Sequence, residues 1–196
     1  MASLTKKEGE VLLKLFKDFS RDYNANSISK QVSITPRGAL KMLKNMEKEK
    51  LITGRKLGKA VFYKPNLTDI YTIKIIETLL IGETRDKATR WLHEFEDVFK
   101  DTEIVIIFGS IIKNPAHAND IDILFVFEKK NYKKVSAFIN ERNKVLLKKI
   151  HSIPQTMEDI KENLKKNEAI KEAIRTGYVL HGFDKLVGVI KDVTSF

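Results

Sequence analysis

Two aspartates, Asp120 and Asp122, open one apolar run, and a Gly109-Ser110 pair closes the apolar run before it. Strand side chains alternate with a period of two, so both carboxylates point the same way, with Cα atoms roughly 7 Å apart. Carboxylates that close repel, and beside a core they need solvent, a basic partner or a cation. A hard divalent cation, Mg2+ or Mn2+, neutralises the pair and bridges to phosphate oxygens. Gly109 directly after a buried strand suits a tight turn that a phosphate can approach, with the Ser110 hydroxyl and local N–H groups as its cradle. Metal-assisted chemistry on a triphosphate is what these residues can do together. The plainer alternative is a turn followed by an edge strand.

The elements that must position them are legible around the motif. A helix over 84–100 carries Ala88, Trp91, Leu92, Phe95, Val98 and Phe99 at core spacing, with Thr84 as its cap. The aromatic stripe reads as core rather than a cofactor box, and His93, off the stripe, as a surface residue. Strands follow at 104–108 and 121–127, then a helix over 131–147, a strand near 147–153, a helix over 156–167 and another over 169–175. Gly177 and Gly182 flank a short closing strand. The fold class is α/β (α+β), with a small mixed sheet flanked by helices.

Gly-Ser followed after nine residues by Asp-x-Asp resembles the signature of the DNA polymerase β-like nucleotidyltransferase superfamily, most closely its minimal archaeal and bacterial members. The resemblance covers about 84–182. It implies that Gly109 and Ser110 bind the triphosphate and that Asp120 and Asp122 are the catalytic pair holding magnesium. Phe108 matches the family's aromatic before the turn, Lys113 a basic position near the phosphates, and Asn119 and Ile121 also suit the pattern. Ile111 and Asn114 depart from it, replacing an often polar or basic residue and a frequent glycine.

Catalytic members of that family usually carry a third carboxylate on the strand after the Asp-x-Asp hairpin. Here that strand reads LLKKIHSIP, with Lys148, Lys149 and His151 and no acid. His151 has the chemistry of a base or a ligand, although a lone strand histidine is more often structural. His117, in the loop before the pair, has weaker support. Glu158 and Asp159 come later and read as the acidic first turn of a helix.

The first third has a different character. Residues 1–66 hold 15 Lys+Arg against 6 Asp+Glu, and 67–196 hold 21 against 20, so nearly all of the net charge of +10 lies at one end. That asymmetry points to an acidic partner, nucleic acid before membrane. Thr5 and Glu8 form a capping-box pattern before Val11, Leu12, Leu15 and Phe16. A second helix is expected over 27–32, and a third from Thr35-Pro36 to about 50. LITGRKLGKAVFYKPN then reads as a hairpin with a basic tip.

Three helices and a basic hairpin resemble a winged helix-turn-helix over about 4–66, whose third helix enters the DNA major groove. On that helix Arg37, Lys41, Lys44 and Lys48 recur along one face, with Leu40, Leu43 and Met46 as the apolar side. Arg55, Lys56 and Lys59 of the wing would add phosphate contacts. A solvated helix face is the plainer reading of the lysines. Base-reading side chains are few, with Arg37, Gln31 and Asn45 as candidates, so backbone binding is better supported than a specific site.

The expected organisation is therefore a DNA-binding domain at 1–66, a connector helix at 67–83 carrying Ile70, Ile73, Ile76 and Leu80, and a nucleotidyltransferase domain at 84–196. Exposed apolar residues on the connector would serve pairing into a homodimer. A hydrophobic content of 42% supports a packed core, and the absence of cysteine excludes disulfides and thiolate chemistry. No signal core and no membrane span is visible, so a cytoplasmic protein without a membrane partner is expected.

The leading functional expectation is a DNA-binding protein that binds a nucleoside triphosphate with Mg2+ or Mn2+ and transfers a nucleotide monophosphate to an acceptor hydroxyl. A protein side chain, a small molecule and a nucleic-acid end all fit as acceptor. The alternative is a non-catalytic regulator, or an antitoxin-like protein with a toxin partner, that uses the same fold for nucleotide sensing or binding.

Overall fold

The computed structural model describes residues 4–194, a mixed α+β chain that divides into two compact units, Met1–Leu79 and Leu80–Phe196. The boundary falls within the segment read above as a connector. Among the described residues, no helix is long and apolar enough to cross a membrane.

In the first unit, α1 (Lys6–Lys17) starts at Thr5, whose hydroxyl accepts from the Glu8 N–H while the Glu8 carboxylate accepts from the Thr5 N–H. This reciprocal cap satisfies two of the orphan donors of the first turn. Helix α2 (Ala25–Gln31) repeats the device with Asn24 and Ser27, whereas α3 (Pro36–Lys48) has a one-way cap, the Thr35 hydroxyl accepting from the Gly38 N–H, and an N1 proline. Strands β1 (Ile52–Leu57) and β2 (Ala60–Pro65) pair from Ile52 opposite Pro65 to Leu57 opposite Ala60. Gly58 is the first of the two turn residues between them and has φ 61°, the positive value that short hairpin turns require there.

The core of this unit gathers Val11, Leu12, Leu15, Phe16, Ile28, Leu43, Met46 and Tyr63. Buried Asp18 accepts a hydrogen bond of 2.5 Å from the Tyr23 hydroxyl. Burial first, and that bond second, push the Tyr23 phenol up to about 12. One apolar expectation changes. Leu40 is 41% exposed, and the inward stripe of α3 runs through Ala39, Leu43 and Met46 at i, i+4, i+7. Position 40 lies about 100° round the helix from 39, which turns it toward solvent.

Helix α4 (Ile70–Lys87) runs through Gly82, burying Ile76 and Leu80 and exposing Ile70 and Ile81. The expected single helix over 84–100 is not formed. Thr84 lies inside α4 and its hydroxyl donates to the Val179 carbonyl at 2.6 Å, so it is no cap. The chain turns at Ala88, α5 (Thr89–Phe95) follows, and residues Glu96–Asp101 form a 3-10 helix. Phe95 and Val98, three apart, serve a 3-10 turn as well as an α-turn, so apolar spacing does not distinguish the two.

The second unit is built on a four-stranded mixed sheet in the order β5-β4-β3-β6, with β3 Ile104–Phe108, β4 Asp120–Val126, β5 Lys149–Gln155 and β6 Tyr178–His181. Strand β3 is antiparallel to β4 and β6, whereas β4 and β5 are parallel and joined through α7 (Tyr132–Val145). Val105, Ile107, Ile121, Ile123 and Phe125 form one core face with Phe95, Val98 and Val135. Helices α8 (Met157–Lys166), α9 (Glu168–Thr176) and α10 (Phe183–Thr194) supply Ile160, Leu164, Ile170, Ile174, Leu186 and Ile190 to the rest of the core.

Strand β5 starts two residues later than expected. Leu147 is fully exposed, and pairing begins at Lys149 opposite Asp120. As an edge strand, β5 tolerates Pro154, which cannot donate to a ladder. Glu158 and Asp159 do begin α8, where Asp159 completes a capping box with Thr156. The hydrogen bonds from Thr156 hold the Asp159 carboxyl below its usual range. Helix α10 was not expected from the sequence.

Candidate metal centre

Asp120 and Asp122 lie at the start of β4, which is an interior strand and not an edge. Ile121 and Ile123 between and after them point into the core, so the two carboxylates share the opposite face, as the period of two requires. The neighbouring β5 pairs Asp120 with Lys149 and Asp122 with His151. Partners in a parallel ladder present their side chains to the same face, which brings the imidazole to the carboxylates.

His151 Nδ1 stands 2.9 Å from Asp122 Oδ1. One ligand atom from each of Asp120, Asp122 and His151 lies within 4.8 Å of the others, and this cluster can hold a metal ion. The Asp122 side chain is 19% exposed and that of His151 65%, so the cluster opens to solvent on the β5 side.

The Gly-Ser turn closes on the same cluster. Phe108, the last residue of β3, is opposite Asp122, and Gly109 follows with φ 80° and ψ −154°. That backbone region is accessible essentially to glycine alone. A Cβ at Gly109 would stand 2.1 Å from Asp122 Oδ2 and 3.2 Å from Asp122 Cβ. The missing side chain therefore leaves the space into which Asp122 reaches. Ser110 begins α6 (Ser110–Lys113) and is exposed.

No family model, curated protein or solved structure matches the chain.

The donor set is two carboxylates and one imidazole. Carboxylates suit Mg2+, Ca2+ and Mn2+, and imidazole suits first-row transition ions, so a divalent cation fits the cluster. Lys113 is exposed at the end of α6, its ammonium 3.7 Å from the Glu172 carboxylate. His117 is exposed on the loop before Asp120 and stands outside the cluster, and His93 is on the surface as expected. Lys148 donates to the carbonyls of Pro115 and Ala118 in the loop before Asp120, and Lys149 donates to that of Asn143 in the last turn of α7.

His151 is the residue that sequence reasoning undervalued. Its role depends on the parallel register of β4 and β5, which no local pattern in LLKKIHSIP encodes. The signal available was alternation: counting back by two from Ile153 puts His151 and Lys149 on one face.

In the first unit, Arg37, Lys41, Lys44 and Lys48 are all exposed on α3, and Arg55, Lys56 and Lys59 are exposed on the hairpin. Gln31 and Asn45 are exposed as well. The Gly54 N–H donates to Glu47 Oε1 at 3.0 Å, which ties the base of the hairpin to α3.

Proposed function

We propose that the second unit is a minimal nucleotidyltransferase domain that binds a nucleoside triphosphate with a divalent cation, Mg2+ or Mn2+, and transfers a nucleotide monophosphate to an acceptor hydroxyl. The observation that carries this reading is the approach of Gly109 to Asp122, with the Cβ position 2.1 Å from the carboxylate oxygen. It supports the reading because the glycine turn adjoins an acid pair that can hold a metal ion.

Asp120, Asp122 and His151 would hold the cation, which supplies charge neutralisation for the triphosphate and the departing pyrophosphate. Gly109 lets the chain come close to phosphate oxygens, and the Ser110 hydroxyl and neighbouring N–H groups orient them. In the transfer, the acceptor oxygen forms a bond to the α-phosphorus, the bond to the bridging oxygen of the β-phosphate breaks, and pyrophosphate leaves. The acceptor proton passes to solvent or to a base at the site.

The test is transfer of label from α-labelled triphosphates. Asp120→Asn with Asp122→Asn removes both charges while keeping size, and product formation is expected to fall at least a thousandfold, the loss of several kcal/mol of transition-state stabilisation. Product formation unchanged in that double variant would contradict the assignment.

A second reading is favoured by one observation: the site face of β5 offers Lys149 and His151 and no carboxylate. Under it the domain binds nucleotide or a protein partner, such as a toxin, without turnover. Saturable binding with no labelled product from any triphosphate would select it.

For the first unit we propose a winged helix-turn-helix that binds double-stranded DNA through its phosphates, with α3 and the hairpin as the contact surface. Exposed basic residues on both elements support this. Changing Lys41, Lys44 and Arg55 to alanine is expected to weaken duplex binding and to reduce the slope of log K against log salt by about 2.7, at about 0.9 per lost phosphate contact. Equal affinity and slope in variant and parent would exclude that surface. The exposed Ile70 and Ile81 of α4 suit a homodimer, for which light scattering at micromolar concentration is the check.

A further inference from the structure

We infer that His151 is a direct metal ligand, and that its imidazole gives the cluster a preference for a first-row transition ion such as Mn2+ over Mg2+. The inference deepens the proposed metal site and rests on it.

Three observations carry it. The β4–β5 register sets His151 opposite Asp122, on the face that bears both carboxylates. The imidazole Nδ1 meets Asp122 Oδ1 at 2.9 Å, a hydrogen bond that a shared cation would replace, and the Asp120 carboxylate completes the group within 4.8 Å.

The donor type then selects among divalent ions. Mg2+ is a hard cation that takes oxygen ligands and keeps its water, and an imidazole nitrogen is a poor replacement for either. Imidazole is a ligand of first-row transition ions, and Mn2+ is the one of them that also shares the preference of Mg2+ for carboxylate oxygen. A carboxylate at position 151 would make the site all-oxygen and would remove this discrimination. His151 thus acts on the metal that the site admits, at a position where its chemistry differs from that of Asp120 and Asp122.

The test uses the full chain and the metal alone. Free Mn2+ is counted from its solution electron paramagnetic resonance signal during titration, and Mg2+ is titrated as a competitor. Electron spin-echo modulation then reads whether a nitrogen nucleus is bonded to the bound Mn2+. The parent is expected to bind one Mn2+ with imidazole nitrogen modulation, and Mg2+ at least tenfold more weakly. His151→Asp is expected to retain Mn2+, lose the nitrogen modulation, and bring the Mn2+ to Mg2+ affinity ratio down about tenfold.

Mn2+ binding that disappears in Asp120→Asn with Asp122→Asn, yet shows no nitrogen modulation in the parent, would overturn the role of His151 and leave the metal site standing. No Mn2+ binding by folded parent protein, verified by circular dichroism, would overturn both. His151→Gln separates ligation from folding: a cooperative melt with lost nitrogen modulation supports ligation, and retained modulation refutes it.

Discussion

Gly109→Ala is expected to destabilise the second unit by about 2–4 kcal/mol and to abolish metal binding at the Asp120–Asp122–His151 cluster. Two effects add. A backbone at φ 80° and ψ −154° is costly for any residue with a Cβ, by about 1–3 kcal/mol. The new methyl also stands 2.1 Å from Asp122 Oδ2 and 3.0 Å from its Cγ, so the carboxylate has to rotate out of the position in which it meets His151. Rotation of one side chain relieves part of the clash, which keeps the fold intact while the site is lost. Thermal melting and Mn2+ titration on the same sample check both parts. A variant that melts normally and binds metal like the parent would mean that Asp122 is not held by the turn.

Gly182→Ala should cost more, about 3–5 kcal/mol, because there the obstruction is backbone. Gly182 is buried at the end of β6 with φ 77°, and a Cβ would stand 1.9 Å from the Glu103 carbonyl oxygen and 3.0 Å from Ile104 Cα. No rotamer change can relieve this. The turn into α10 and the start of β3 have to separate, and with them Leu186 and Ile104, both fully buried. Against a typical domain stability of roughly 5–15 kcal/mol, such a loss brings the unit close to unfolding. A fall in melting midpoint of roughly 10–20 °C is expected by circular dichroism. A fall under about 3 °C would show that the glycine is not needed at this contact.

The two substitutions also show which parts of the molecule the chain announces locally. The apolar run at 121–127 marks a strand, and that is enough to put Asp120 and Asp122 on one face, because a strand's period does not depend on its neighbours. The capping box at Thr5 and the Thr35-Pro36 start of α3 are likewise local, each satisfied by atoms three residues away. What stayed hidden depends on distant pairing. The meeting of His151 with Asp122 requires a parallel register across an intervening helix, and the close approach of Gly109 to Asp122 requires the β3–β4 ladder.

The same distinction explains the errors in the elements. Leu40 looks apolar and periodic, yet only the packing of α3 selects Ala39 in its place. The turn at Ala88 leaves the apolar spacing of Trp91, Phe95 and Val98 unchanged, so periodicity runs straight through it. Helix α10 did carry a signal, with Leu186, Val187, Val189 and Ile190 at helical spacing, but the preceding Gly182 reads as the end of a strand.

The central claim, one site for cation and triphosphate, is tested most directly by calorimetric titration of ATP, then of the other triphosphates, into the parent and into Asp120→Asn/Asp122→Asn, with and without Mg2+ or Mn2+. Saturable binding by the parent that requires the cation and is absent from the folded double variant is the predicted result. No binding of any triphosphate by folded parent protein, or equal binding by parent and double variant, would contradict it.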